Sequence, residues 1–126
     1  MEFSTIFDRF KSLSGLENSE AENWSYLVYD SMVEIRNMLI PECDLEENSR
    51  RLTAVTAVLA FYRYRCVLAS RGEVKNFKAG ELSIDAGDGG IEAARKLYRE
   101  NLSGIEDILR TNQFVFGRTE SLCTEN

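Results

Sequence analysis

Residues 45–70 read as one long helix with two apolar faces, and few small architectures can house such an element. One stripe is Leu52, Val55, Leu59, Tyr62 and Cys66; the other is Ala57, Phe61, Tyr64 and Leu68. At 100° per residue the two stripes lie roughly opposite one another. A helix apolar on two sides is either buried in the middle of a bundle or shared between its own core and a neighbouring molecule. In the second case Phe61, Tyr64 and Leu68 form the shared face. Asp44 followed by Glu47 resembles a capping box at the start, and Gly72 is the expected stop.

Three further helices fit around it. Phe3, Ile6, Phe7 and Phe10 recur at i, i+3, i+4 and i+7, which predicts a short helix over 3–12 closed near Gly15. Trp24, Leu27, Val28, Ser31, Met32, Ile35 and Leu39 share one face of a helix over about 20–39. Pro41, the single proline, ends it by removing an N–H and restricting Ile40. A last helix is expected over about 91–110, with Ile91, Ala94, Leu97, Tyr98, Leu102, Ile105, Ile108 and Leu109 in its stripe. Trp24 and Tyr29 read as core and boundary aromatics. The fold class is therefore all-α: one domain over 1–110, a bundle of about four helices.

Two segments do not read as helix. Residues 74–87 alternate weakly and are broken by Gly80, as in an extended arm or a small hairpin. An extended segment in a helical chain needs a partner for its N–H and C=O groups: another subunit, or a local hairpin. Residues 111–126 form a tail whose apolar cluster, Phe114, Val115 and Phe116, either folds back on the core or docks in another protein.

Histidine is absent. This removes Ser-His-Asp and Cys-His nucleophile systems and every zinc site that needs imidazole. Cys43, Cys66 and Cys123 are odd in number and widely spaced, which fits reduced thiols and no metal ribbon. The adjacent acidic pairs Glu46-Glu47 and Glu106-Asp107 diverge on a helix and do not converge on a substrate. The stretch Asp85 to Gly90 lacks the closing Glu of a calcium loop, and Lys96 stands at the twelfth position. No catalytic, cofactor or metal site is expected, and the chain is read as a non-enzyme. The uncharged run Leu52–Tyr62 is too short to span a bilayer and is flanked by arginines, so a soluble chain is expected.

The 126 residues carry 15 Lys+Arg and 21 Asp+Glu, a net charge of −6. Residues 1–47 are net −8, 48–78 net +6 and 79–126 net −4. Acidic helices could simply neutralise a basic central one. Alternatively the protomer is polar and pairs head-to-tail. Arg50, Arg51, Arg63, Arg65 and Arg71 point in several directions around one helix, which argues against a DNA recognition helix and leaves channel lining open.

A long Ala-rich helix (Ala54, Ala57, Ala60 with Phe61-Tyr62-Arg63-Tyr64) leads into Phe77-Lys78-Ala79-Gly80-Glu81-Leu82-Ser83-Ile84. A further helix follows, then Phe114-Val115-Phe116-Gly117-Arg118. Over about 45–118 this order resembles the head–tail connector, or adaptor, proteins of tailed phages and prophages, with Glu81 where that pattern has Asp. The resemblance implies a helical protomer, assembled in the bacterial cytoplasm, that forms a ring on the portal at the virion neck. The ring extends the DNA channel and offers a platform for the next neck or tail-completion protein; DNA passes through without specific binding, and no membrane or cofactor is involved. By the same resemblance Phe77, Gly80, Leu82 and Ile84 belong to an arm against neighbouring subunits, and Phe114, Phe116 and Arg118 to a tail that reaches the portal. The alternative expectation is a cytosolic all-helical interaction or regulatory module acting as a homodimer.

Overall fold

The long helix is the axis of the molecule. The structure, a computed structural model, describes residues 1–71 and 90–110. Its α-helices in chain order are α1 (Phe3–Ser14), α2 (Asn18–Glu22), α3 (Ser25–Met38), α4 (Ser49–Ser70) and α5 (Ile91–Ser103), followed by a 3-10 turn at Glu106–Ile108. Helices α1, α3 and α5 all pack on α4. Both apolar stripes of α4 are consequently covered, from Leu52, Val55 and Leu59 on one side to Ala57, Tyr64 and Leu68 on the other. The fold is thus a small all-α bundle with its two-faced helix in the middle. By length and composition α4 is apolar enough to cross a membrane, but much of it is buried against the other helices.

The core has two parts along α4. Ile6 and Phe10 of α1, Trp24, Leu27 and Val28 at the start of α3, and Ala57, Ala60, Tyr64 and Leu68 of α4 form one. Ile35, Leu39, Leu52, Val55 and Leu59 form the other, with Ile105, Ile108 and Leu109 from the end of the described chain.

Local chemistry explains the ends. Helix α1 closes at Gly15, which takes a left-handed φ of 76° and donates its N–H to the Lys11 carbonyl at 2.8 Å. The helix expected over 20–39 is broken at Asn23–Trp24 into α2 and α3. Trp24 N–H reaches the Ala21 carbonyl, and Leu27 N–H reaches that of Trp24. Such i→i+3 turns keep the apolar residues nearly in phase, so the stripe runs through the break unmarked. Asp44 does cap, since its Oδ1 accepts the N–H of Glu46 and of Glu47 at 3.0 Å each. It caps a turn that precedes α4, which itself begins only at Ser49.

The last helix is shorter than its stripe. It ends at Ser103 rather than near 110, and Ile105 and Ile108 are buried by the 3-10 turn instead. Past Ser103 the Ile105 N–H turns to the Leu102 carbonyl, and the Gly104 carbonyl accepts from the Arg51 guanidinium at 2.9 Å. Beyond the turn the chain runs antiparallel to the end of α3. Leu39 pairs with Leu109, Ile40 N–H donates to Ile108 O, and Arg110 N–H to Met38 O, both at 2.9 Å.

Candidate interaction surface

Among the described residues no cluster of three or more His, Cys, Asp or Glu could hold a metal ion. Burial raises the thiol pKa of Cys43 and of Cys66, which keeps both protonated and weakly nucleophilic at neutral pH.

The arm residues Phe77, Gly80, Leu82 and Ile84 and the tail residues Phe114, Phe116 and Arg118 lie outside the described residues. Of the three residues expected on a shared face of α4, Tyr64 and Leu68 are core residues of this chain. Phe10 meets the Tyr64 ring edge-on at 5.8 Å and Trp24 does so at 4.9 Å. Little of either Tyr64 or Leu68 is left for a neighbour; Phe61 alone is half-buried. The cover that closes this face comes from α1 and the start of α3, whose aromatic residues pack on it.

The exposed apolar surface sits elsewhere. Tyr26, Tyr29 and Val33 on α3 are 48%, 55% and 60% exposed. Their i, i+3, i+7 spacing places them on one outward face, opposite Leu27, Val28 and Ile35. Sequence reading took Tyr29 for a boundary residue and did not connect it with Tyr26 and Val33, although that second stripe on the helix is the signal. Phe3 stacks on Tyr29 at 4.3 Å between centroids and fixes its ring. Beside the ridge a groove is lined by Asp30, Glu34, Asn37 and Met38 and by Arg63 of α4, which is ion-paired to Glu34.

A second cleft lies between α1, α4 and α5. Arg9 and Arg50 stand at its edge, Glu100 and Asn101 face them, and Ala54 and the buried Ile105 line it. Arg51 is engaged there: it holds both Asp107 oxygens, at 2.9 and 3.2 Å. That bond raises the Arg51 pKa and holds the Asp107 carboxyl below its usual range.

The arginines of α4 are thus spent in different directions. Arg51 turns to Asp107 and Arg63 to Glu34. Arg71 lies 5.1 Å from the Trp24 ring. Arg65 is 1% exposed, 5.7 Å from the Tyr64 ring, and its pKa is lowered by burial. They make no common stripe for a nucleic-acid backbone.

Comparison with protein-family models, with curated proteins and with solved structures gives no match.

Proposed function

We propose that the protein is a structural assembly subunit, a head–tail connector of a tailed phage or prophage that forms a ring on the portal, extends the DNA channel and receives the next neck or tail protein. The observation that carries this reading is the connection between α4 and α5. Arg51 meets Gly104 and Asp107 while Tyr62 meets Arg95 and Tyr98, so the two helices run antiparallel. Neighbouring antiparallel helices need about 2–8 residues to join, and much longer connections are usually functional segments or linkers. Here the twenty residues 71–90 stand between Ser70 and Ile91. That excess holds the Phe77–Ile84 motif on which the sequence resemblance rests.

The test is native mass spectrometry or mass photometry of the protein alone and mixed with the portal from the same genome. Many copies per portal, lost on deleting residues 111–126, are the expected result. A stable two-fold dimer indifferent to portal would instead favour a cytosolic helical interaction module.

A further inference from the structure

The exposed ridge of α3 and the arginine cleft differ in charge and in place. Tyr26, Tyr29 and Val33 form the ridge, and Asp30 beside them makes no ion pair or hydrogen bond among the described residues. Residues 17–38, which contain α2 and α3, hold five acidic side chains and one basic one, Arg36. Across the molecule Arg9 and Arg50 at the cleft likewise have no ion-pair or hydrogen-bond partner among the described residues. Ala54 and Ile105 give that cleft an apolar lining.

We infer that a second copy of this chain docks here, the α3 ridge of one molecule seated in the Arg9–Arg50 cleft of the next. Three arguments favour this occupant. Asp30 flanks the apolar ridge, whereas Arg9 and Arg50 outnumber Glu100 at the apolar-lined cleft, so charge and burial agree. Two ridges facing one another would bring Asp30 and its acidic neighbours against themselves, which disfavours a two-fold pairing through this face. The cleft is built by α1, α4 and α5 without α3, so each molecule keeps one free ridge and one free cleft after pairing. Such a heterologous contact closes into a ring or propagates as a filament. The inference rests on the assembly reading but needs no portal, so the two can fail separately.

The experiment is sedimentation velocity on the full chain up to about 1 mM, at low and high salt. Four proteins are compared: wild type, Asp30→Arg, Arg50→Glu, and the combination of both. Wild type should associate with rising concentration and lose association in high salt. Each single reversal should weaken association by about tenfold or more, and the combined variant should regain it. Both positions are exposed and unpaired, so thermal melts of the four proteins should coincide, and only a direct contact between the two sites gives the rescue. A monomeric wild type throughout, indifference to the single reversals, or failure of the rescue each overturns the inference. Hydroxyl-radical footprinting adds a control. Protection of Tyr29 in dilute, monomeric protein would assign the ridge to another part of the same chain, such as residues 111–126, which follow Arg110 next to Met38, and would also overturn it.

Discussion

The two parts of the core are made of different materials. Around the C-terminal half of α4 the packing is aromatic: Phe10 and Trp24 both meet Tyr64 edge-on, and Phe3 and Phe7 continue the stack outward. Around its N-terminal half the packing is aliphatic, from Ile35, Leu39, Leu52, Val55 and Leu59 to Ile105, Ile108 and Leu109. Ring edges and polar tips bring consequences that methyl groups do not. The aromatic part attracts Arg65 and Arg71, and it leaves the Trp24 Nε1 proton buried without an acceptor among the described residues. The aliphatic part is closed by backbone hydrogen bonds at Leu39–Leu109 and by the Arg51–Asp107 latch. One half is held by helix faces, the other by non-helical chain drawn against a helix.

The largest expected effect tests whether the halves are one cooperative unit. Phe10→Ala removes a fully buried ring from the aromatic part and should cost about 3–5 kcal/mol. Ile105→Ala removes a branched side chain, 1% exposed, from the aliphatic part and should cost about 2–5 kcal/mol. Trp24, the single tryptophan, reports from the aromatic part alone. Because α4 runs through both, Ile105→Ala should shift the urea midpoint of Trp24 fluorescence as far as that of circular dichroism. Two separated transitions would mean that the halves unfold independently and that α4 does not couple them.

The same division governs what the sequence could show. Where helix faces make the core, period 3.6 names the right residues: Ile6, Phe10, Leu27 and Val28 are buried, as are Leu52, Val55 and Leu59 of one stripe of α4 and Ala57, Tyr64 and Leu68 of the other, while Phe61, Tyr62 and Cys66 are half-buried. Ile105, Ile108 and Leu109 are also buried as read, but by a 3-10 turn and an extended residue rather than a helix. Both shapes satisfy a spacing of three, so periodicity identifies burial without fixing the backbone. At this turn the Gly104 carbonyl meets Arg51, a contact across 53 residues that no local pattern contains. For the surface, the α3 ridge was present as three apolar residues at helical spacing. The core stripe on the same helix drew the reading away from it.

Two glycines at helix ends sharpen the contrast at a smaller scale. Gly15 closes α1 beside the aromatic part with φ at 76° and open space around its Cα. Gly15→Ala should therefore cost about 1–2 kcal/mol from backbone strain alone. Gly104 follows α5 beside the aliphatic part with φ at −70°, a value any residue adopts, and an added Cβ would stand 3.3 Å from the Asn101 carbonyl. Gly104→Ala should stay within about 0.5 kcal/mol of wild type, the gain in unfolded-state entropy offsetting the tight contact. Thermal melts of the two variants decide the point, and equal losses would show that the close contact at Gly104 is as costly as positive φ.

Between the two parts lies a polar seam. Val28 belongs to the aromatic cluster and Ile35 to the aliphatic one, and Ser31 stands between them on α3 with its hydroxyl buried and, among the described residues, unpartnered. A buried hydroxyl without a hydrogen bond is a cost to the folded state. Ser31→Ala should thus be neutral or stabilise by up to about 1 kcal/mol in urea unfolding. A loss greater than that would mean that the hydroxyl finds a partner and that the seam contributes to cohesion.

The smallest effect should come from the latch on the aliphatic side. Arg51 lowers the Asp107 pKa through their hydrogen bond. A carboxyl whose folded pKa is depressed adds stability that is complete above its unfolded value and is lost as pH falls through the folded one. Asp107→Asn should therefore melt slightly below wild type at neutral pH, and the two curves should converge in acid below the usual carboxylate range. Both side chains are substantially exposed, 39% for Arg51 and 62% for Asp107, so salt should narrow the gap as well. Arg51 keeps the Gly104 carbonyl when Asp107 is neutral, so the 3-10 turn and its buried Ile105 and Ile108 should remain in place. If the gap instead persists unchanged in acid, the charge on Asp107 is not its source. The latch would then act through the shape of its hydrogen bonds, as the backbone pairing at Leu39 and Leu109 does on the same side of the molecule.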